Sequence, residues 1–489
     1  MSTGGTATIE GVEVSTEHWI GGRRVGSAGT FTDVSPIDEE AIAEVARGGP
    51  DEAAAAVSAA REAFPVWGGM SPMDRAAVLH AIADGVEARV PDLAAVETRD
   101  NGSLLRSMRS SVMPRVARNF RFFADRLVEL GGPDVEFNGF AEHVSWDPSG
   151  VAVVITPWNA PLMLATWRIA PALAAGNTVV LKPPEWAPLT GSMLADIAHA
   201  AGVPDGAFNV VQGIGEEAGA ALVSNPDVDR IAFTGSVPTG KLVAASAGAN
   251  LTPVSLELGG KSPFVAFADA NMDALVKQAV GQFDNAGQVC LAGTRLLIER
   301  SIYDAFLDRF VEEASTIKQG DPREDTTDIG PQITREHFER VDGFVRRAIA
   351  DGAKPVIGGG PNDDLGRLYY RPTAFVDAPA GSEILREEVF GPVLTVQPFA
   401  DEDEAVSLAN ATDFGLAAIL YTGDRERAER VSARLVAGTV WVNCFFVRDL
   451  DAPFGGSRSS GIGREGGIWS FDFHADVKNV CTAPWNEGS

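Results

Sequence analysis

From Gly150 onward the chain repeats one pattern: a short apolar run, a helical segment, then another apolar run. Val151–Thr156, Thr178–Leu181, Phe208–Val211 and Arg230–Phe233 read as buried strands, separated by helices near Leu162–Ala175, Leu189–Ala201 and Glu216–Ser224. Strands that are apolar on both faces and alternate with helices require a parallel sheet covered on both sides, a doubly wound α/β domain. Gly259-Gly260 closes this block. A second series follows, with Phe264–Phe267, a helix through Met272–Phe283, Thr294–Ile298, a helix from Ile302 to Lys318, and Thr439–Asn443. His474–Ala483 reads as a final strand. Before Gly150 the pattern is mostly helical. Pro50-Asp51 opens an alanine-rich helix to Phe64, Ser71-Pro72 opens one towards Arg89, and a third runs from about Ser111 to Leu130 with Phe120, Phe122 and Phe123. The first fourteen residues are small and polar and are expected to fray.

A chain of 489 residues has room for about three domains, or two large ones. Forty Lys and Arg against 67 Asp and Glu give a net charge of −27, which repels phosphate backbones and anionic lipid. Neither a nucleic acid nor a membrane is therefore an expected partner. Three dispersed cysteines, Cys290, Cys444 and Cys481, suit neither a disulfide framework nor a zinc site, so no metal is expected. Met1–Val14 lacks a secretory pattern, and no run approaches 18 apolar residues, so the cytoplasm is the expected location.

Two glycine patterns invite a phosphate-binding reading. Gly235-Ser236-Val237-Pro238-Thr239-Gly240-Lys241-Leu242 nearly matches the nucleotide P-loop, but Leu242 stands where a hydroxyl must bind magnesium. The segment follows a strand and opens a helix, so it still suits a pyrophosphate held by backbone N–H groups. In Gly213-Ile214-Gly215-Glu216-Glu217-Ala218-Gly219 the third glycine comes one residue late for the dinucleotide fingerprint. Three side chains could carry chemistry. Cys290 follows a helix, although a lone cysteine is commonly a small buried hydrophobe, and none of the six histidines lies near it in sequence. Glu257 ends an apolar strand, where desolvation would raise its pKa and suit a general base; pairing with Lys261 is the equal alternative. Asn159 follows a strand end and could donate to an oxyanion, although capping the next helix is the commoner use.

Taken together, seven motifs resemble the aldehyde dehydrogenase superfamily over nearly the whole chain. They are Thr156-Pro157-Trp158-Asn159, Lys182-Pro183-Pro184-Glu185, Phe233-Thr234-Gly235-Ser236, Glu257-Leu258-Gly259-Gly260-Lys261, Gly287-Gln288-Val289-Cys290, Glu387-Glu388-Val389-Phe390-Gly391-Pro392 and Pro453-Phe454-Gly455-Gly456. The resemblance implies an aldehyde dehydrogenase-like α/β fold with two doubly wound domains and a small β oligomerisation element. On this reading residues 1–124 and 147–258 bind NAD, 259–472 form the catalytic domain, and 125–146 with 473–489 build a homodimer or homotetramer. It further implies that Cys290 attacks an aldehyde and that Asn159 and the Cys290 N–H hold the oxyanion. A thioester remains after hydride leaves, Glu257 activates the water that hydrolyses it, and Glu465 helps relay protons. Lys182 and Glu185 would hold the adenosine ribose, with Thr156, Trp158, Gly235, Ser236 and Leu258 along the cofactor and Glu388 and Phe390 at its nicotinamide end. A carboxylate at Glu185 accepts from a 2′-hydroxyl and repels a 2′-phosphate, which favours NAD over NADP. One departure is Arg168, where the family usually has Lys; an Arg keeps its proton, so a relay through this position is in doubt.

The run Phe446-Val447-Arg448-Asp449-Leu450, with Ser460–Gly467, resembles the hydroxymuconic and aminomuconic semialdehyde branch, whose substrates carry carboxylates. Members often have Arg in the slot of Asp451, and Asp284 replaces a tunnel residue that is often aromatic. With two acids at the mouth, the expected substrate is an aromatic or unsaturated aldehyde lined by Phe123, Leu164, Trp167 and Phe454. A semialdehyde bound by Arg448 is the alternative. A CoA-acylating relative would typically lack Glu257, and a silent scaffold would not need Cys290, Glu257 and Asn159 together.

Overall fold

The computed structural model describes residues 5–132 and 134–485. Its first sheet has eight strands in the order Gly461–Ile462, Val254–Glu257, Arg230–Thr234, Val151–Ile155, Thr178–Lys182, Phe208–Val210, His18–Ile20 and Arg23–Val25. The five strands from Val254–Glu257 to Phe208–Val210 run parallel, and both flanks are closed by antiparallel strands. Val151–Ile155 and Thr178–Lys182 are buried along their whole length. Helices on both faces cover them, among them Pro50–Gly68, Pro161–Ala174 and Leu189–Ala200.

The second sheet orders Lys354–Ile357, Thr373–Val376, Val393–Phe399, Arg295–Glu299, Pro263–Ala266, Ala417–Tyr421 and Thr439–Val442; only its first pair is antiparallel. A third sheet joins Ala475–Thr482 to Phe140–Pro148 over eight residue pairs, with Asp134–Phe137 at its edge.

Two details differ from the sequence expectations. The N-terminal segment does not fray as described from Gly5: Thr6–Ile9 pairs with Val12–Ser15 and buries Ile9 and Val14. Glu10 (φ 47°) and Gly11 (φ 82°) form the left-handed two-residue turn that such a hairpin requires, a signal hidden by the polar composition. Gly461–Ile462 falls within the stretch assigned to the catalytic domain, yet it pairs with Leu256 and Glu257 in the first sheet. The C-terminal chain thus returns to the strand that ends at Glu257.

Leu181 is fully buried in an inner strand of the first sheet. Leu181→Ala is predicted to cost about 2–5 kcal/mol of stability, read as a lower urea midpoint than the parent protein.

Candidate active site

A cavity of about 2130 Å³ runs between the two large sheets. The first sheet contributes residues at the C-terminal ends of four parallel strands: Thr156, Lys182, Gly235 and Glu257. Ligands of parallel sheets bind at such ends. The second sheet contributes mainly the segments that lead into its strands, including residues 288–292, 386–388, Phe390 and 411–414.

The segment before Cys290 is bent by local backbone chemistry. Asn285 (φ 50°), Ala286 (φ 55°) and Gly287 (φ 72°) are successive left-handed residues. A Cβ on Gly287 would lie 2.0 Å from the Gly391 carbonyl oxygen, so only glycine allows this approach. Gln288 is buried and locks the turn, its Nε2 donating to Asn285 O (3.0 Å) and its Oε1 accepting from Ile333 N (3.0 Å). Cys290 is left half-buried on the cavity wall. Burial, then the nearby carboxylates of Glu388 and Glu257, push its thiol up to about 12; the N–H groups of Cys290 and Leu291 act in the opposite direction.

Asn159 does not cap the following helix, whose N-cap is Ala160. Its Nδ2 donates to Gln288 O (2.9 Å), and Asn285 Nδ2 donates to Asn159 O (3.3 Å). The amide is thus oriented from the cysteine segment. Glu257 is buried and accepts from Gly456 N (3.3 Å), whereas Lys261 feels Glu388 and Glu387. Burial, then the charge of Glu465, push Glu257 up to about 8. Glu465 accepts from Trp167 Nε1 (2.7 Å) and pairs with Arg168, which also donates to Ser255 Oγ (2.8 Å).

Towards the other end, Lys182 Nζ meets Glu185 Oε2 at 2.5 Å. Burial opposes the ionised carboxylate, but the Lys182 charge holds Glu185 below its ordinary range. Ser236 caps helix Val237–Ala249 by accepting from Thr239 N, and the N-terminus of that helix lines the cavity, a seat for a pyrophosphate. Gly215 and Glu216 of the second glycine pattern line the same groove. Thr156 Oγ1 is buried with no partner among the described residues, a polar atom on this wall that a ligand can satisfy. Trp158, Leu258, Glu388 and Phe390 complete the groove. Glu388 accepts from Gly260 N (3.0 Å), and burial pushes its carboxyl up to about 7. A fixed carboxylate, a helix N-terminus and an aromatic wall in one elongated groove fit a dinucleotide.

Leu164, Trp167, Asp284, Arg448 and Phe454 line the end beyond Cys290. Two expected residues do not. Phe123 is fully buried and packs behind Trp167, with ring centroids 5.5 Å apart. Asp451 is drawn away by a bidentate ion pair with Arg126, Nε to Oδ1 3.0 Å. The sequence reading also missed Arg115 and Arg118, which line this end, and His337 and Arg340, which line the groove. Arg115, Arg118 and Asn119 sit at helical spacing on the half-buried helix Met113–Glu129, a polar stripe that could have been noticed.

A dinucleotide-sized groove that runs up to a thiol is the arrangement of an NAD-dependent dehydrogenase. The chain belongs to the aldehyde dehydrogenase family, whose sequence model matches residues 24–480. It is 43% identical over 482 residues to a 2-hydroxymuconic semialdehyde dehydrogenase of Pseudomonas sp. (strain CF600), covering 95% of this chain and 99% of that one. It is 40% identical over 473 residues to the human 2-aminomuconic semialdehyde dehydrogenase, covering 95% and 97%. Among solved structures, betaine aldehyde dehydrogenase from Staphylococcus aureus in complex with NAD+ superposes with a TM-score of 0.94 at 36% identity, covering 97% of each chain. A putative aldehyde dehydrogenase from Burkholderia cenocepacia also gives 0.94, at 40% identity over 96% and 97%. The protein is an NAD-dependent oxidoreductase acting on aldehydes.

Glu257 has a folded pKa of about 8, above the unfolded carboxyl value. Its contribution to stability is therefore complete below the unfolded pKa and lost as the pH rises through about 8. Glu257→Gln cannot ionise, so its thermal midpoint is predicted to exceed the parent's at pH 9, with the gap closing towards pH 5. The same substitution is predicted to slow aldehyde turnover by about 10²–10⁴-fold, and parental turnover is predicted to fall below pH 8 as the carboxylate is lost.

Proposed function

We propose that the chain oxidises an unsaturated semialdehyde bearing a carboxylate, with Cys290 as the nucleophile. The Cys290 thiol is neutral in the free protein, so its proton must leave as sulfur attacks the carbonyl carbon; Glu257 and Glu388, the carboxylates that raise its pKa, are the acceptors at hand. The oxyanion accepts from the Cys290 backbone N–H and the Asn159 amide. Gln288 O engages one N–H of that amide and leaves the second for this purpose. The bound cofactor supplies a nicotinamide that accepts hydride. Loss of hydride leaves a thioester on Cys290, and Glu257 removes a proton from the water that hydrolyses it. Arg168 is engaged by Glu465 and Ser255 Oγ and its guanidinium has no acceptor atom, so the proton from Glu257 leaves by the cavity rather than through Arg168.

The observation that carries the substrate class is Arg448. Its guanidinium lies 3.6 Å from the Phe454 ring and 4.8 Å from the Trp167 ring, and its buried Nε has no partner among the described residues. An unpaired buried donor costs about 1–3 kcal/mol, which a ligand carboxylate would offset. The Arg115 guanidinium lies 5.4 Å from the same Trp167 ring; burial, then Arg448 and Arg118, push it down to about 9. Arg448, Arg115 and Arg118 gather three guanidinium groups at this end; Asp284 Oδ1 already accepts from Asn285 N, and the Glu465 and Glu257 carboxylates near Arg448 are the acids of the catalytic wall. The aromatic walls suit a flat, conjugated chain. Relatives named for muconic semialdehydes are 39–43% identical, which agrees with this reading.

A panel of benzaldehydes, alkanals and muconic semialdehydes tests it. Arg448→Met and Arg115→Met are each predicted to raise KM for a muconic semialdehyde by about 30-fold or more, and to change KM for benzaldehyde by less than about threefold. Best kcat/KM on benzaldehyde, unaffected by both substitutions, would contradict the assignment.

The third sheet leaves Val135, Phe137, Phe140 and Val477 exposed on one face, suited to a second copy of the chain. Sedimentation is predicted to find a dimer or tetramer, and Phe137→Lys with Val477→Lys is predicted to shift it towards monomer.

A further inference from the structure

Helix Arg335–Ala350 holds the segment that carries Glu388 and Phe390 by its backbone. His337 Nε2 lies 2.7 Å from Phe390 O, which can only accept, so Nε2 carries the hydrogen. One turn later Arg340 donates to Val389 O and, at 2.7 Å, to Glu388 O. Two side chains thus engage three consecutive carbonyls. The held residue is strained: Phe390 has φ 60°, a conformation that a bulky side chain adopts only when its surroundings impose it. The imidazole also packs on Trp158, centroids 5.2 Å apart, and Trp158 packs on Phe390 at 5.3 Å, so the three rings form one corner of the cofactor groove. Burial keeps His337 neutral down to about pH 4, which leaves the Nε2–H donor unchanged over any working range.

We propose that His337 is a positioning residue for the cofactor. By donating to Phe390 O it fixes the left-handed turn that sets Glu388 and the Phe390 ring at the nicotinamide end. Arg340 anchors the preceding two carbonyls; among the described residues, His337 alone hydrogen-bonds the carbonyl of the strained residue itself. This rests on the assignment of Glu388 and Phe390 to that end of NAD.

The test compares His337→Phe, which keeps a ring but lacks the donor, with His337→Gln, which restores an N–H of similar reach. Affinity for NAD is measured on the cofactor-free protein by quenching of tryptophan fluorescence and by calorimetry. The Phe variant is predicted to bind NAD about tenfold or more weakly, and the Gln variant within about threefold of the parent. KM for the aldehyde and the rate of Cys290 alkylation by iodoacetamide without NAD are predicted to stay parental, which separates a local effect from misfolding. Parental NAD affinity in His337→Phe, or a Gln variant as weak as the Phe variant, would overturn the proposal. Glu388→Ala and Phe390→Ala tell this failure from that of the underlying assignment. If they also leave NAD affinity unchanged, the assignment falls; if they weaken it while His337→Phe does not, only the role of His337 falls.

Discussion

The hydrogen bond from Asn159 Nδ2 to Gln288 O ties a loop leaving the first sheet to the segment entering the second. Asn159 follows the strand Val151–Ile155, and Gln288 precedes the strand Arg295–Glu299. Joining them brings an amide donor and a thiol to one wall. The bond depends on the left-handed run Asn285–Gly287, and that run depends on the absence of a side chain at Gly287. Backbone strain is thus concentrated at the point where the nucleophile must face the cavity.

Electrostatics at the site follow from the same enclosure. Burial raises Cys290, Glu257 and Glu388 together, and the negative forms of the carboxylates hold the thiol proton in place. Such a site disfavours accumulation of charge until a substrate and cofactor arrive, and it is less stable at high pH than its neutral equivalents. The charges of Arg168 and Arg448 pull Glu257 down against burial and Glu465, so they set its environment and leave proton transfer to the carboxylates.

The parallel strands of the first sheet were legible because their residues are apolar without alternation, whereas Thr373–Val376, Val393–Phe399 and Ala417–Tyr421 of the second sheet went unread; motif residues such as Cys290, Glu257, Asn159, Glu185 and Ser236 all line the cavity. What sequence could not supply was orientation and long-range pairing. Phe123 and Asn119 lie four residues apart on one helix, yet Trp167 covers the former while the latter reaches the cavity. Asp451 was read from its slot near Phe454, but its partner Arg126 is 325 residues away in the chain. His337 lies 47 residues from Cys290, and only the packing of its helix against the Glu388–Phe390 segment brings it to the groove. The Glu10-Gly11 turn, by contrast, was present in the sequence and was masked by polar composition.

A covalent bond at one sulfur is the central claim, and mass spectrometry reads it directly. Glu257→Gln protein mixed with NAD and a muconic semialdehyde, quenched in acid and digested, should carry the acyl mass on the peptide containing Cys290, and Cys290→Ala should carry none. An unmodified Cys290 peptide while NADH is still formed, or an acyl group on Cys444 or Cys481 instead, would contradict the account.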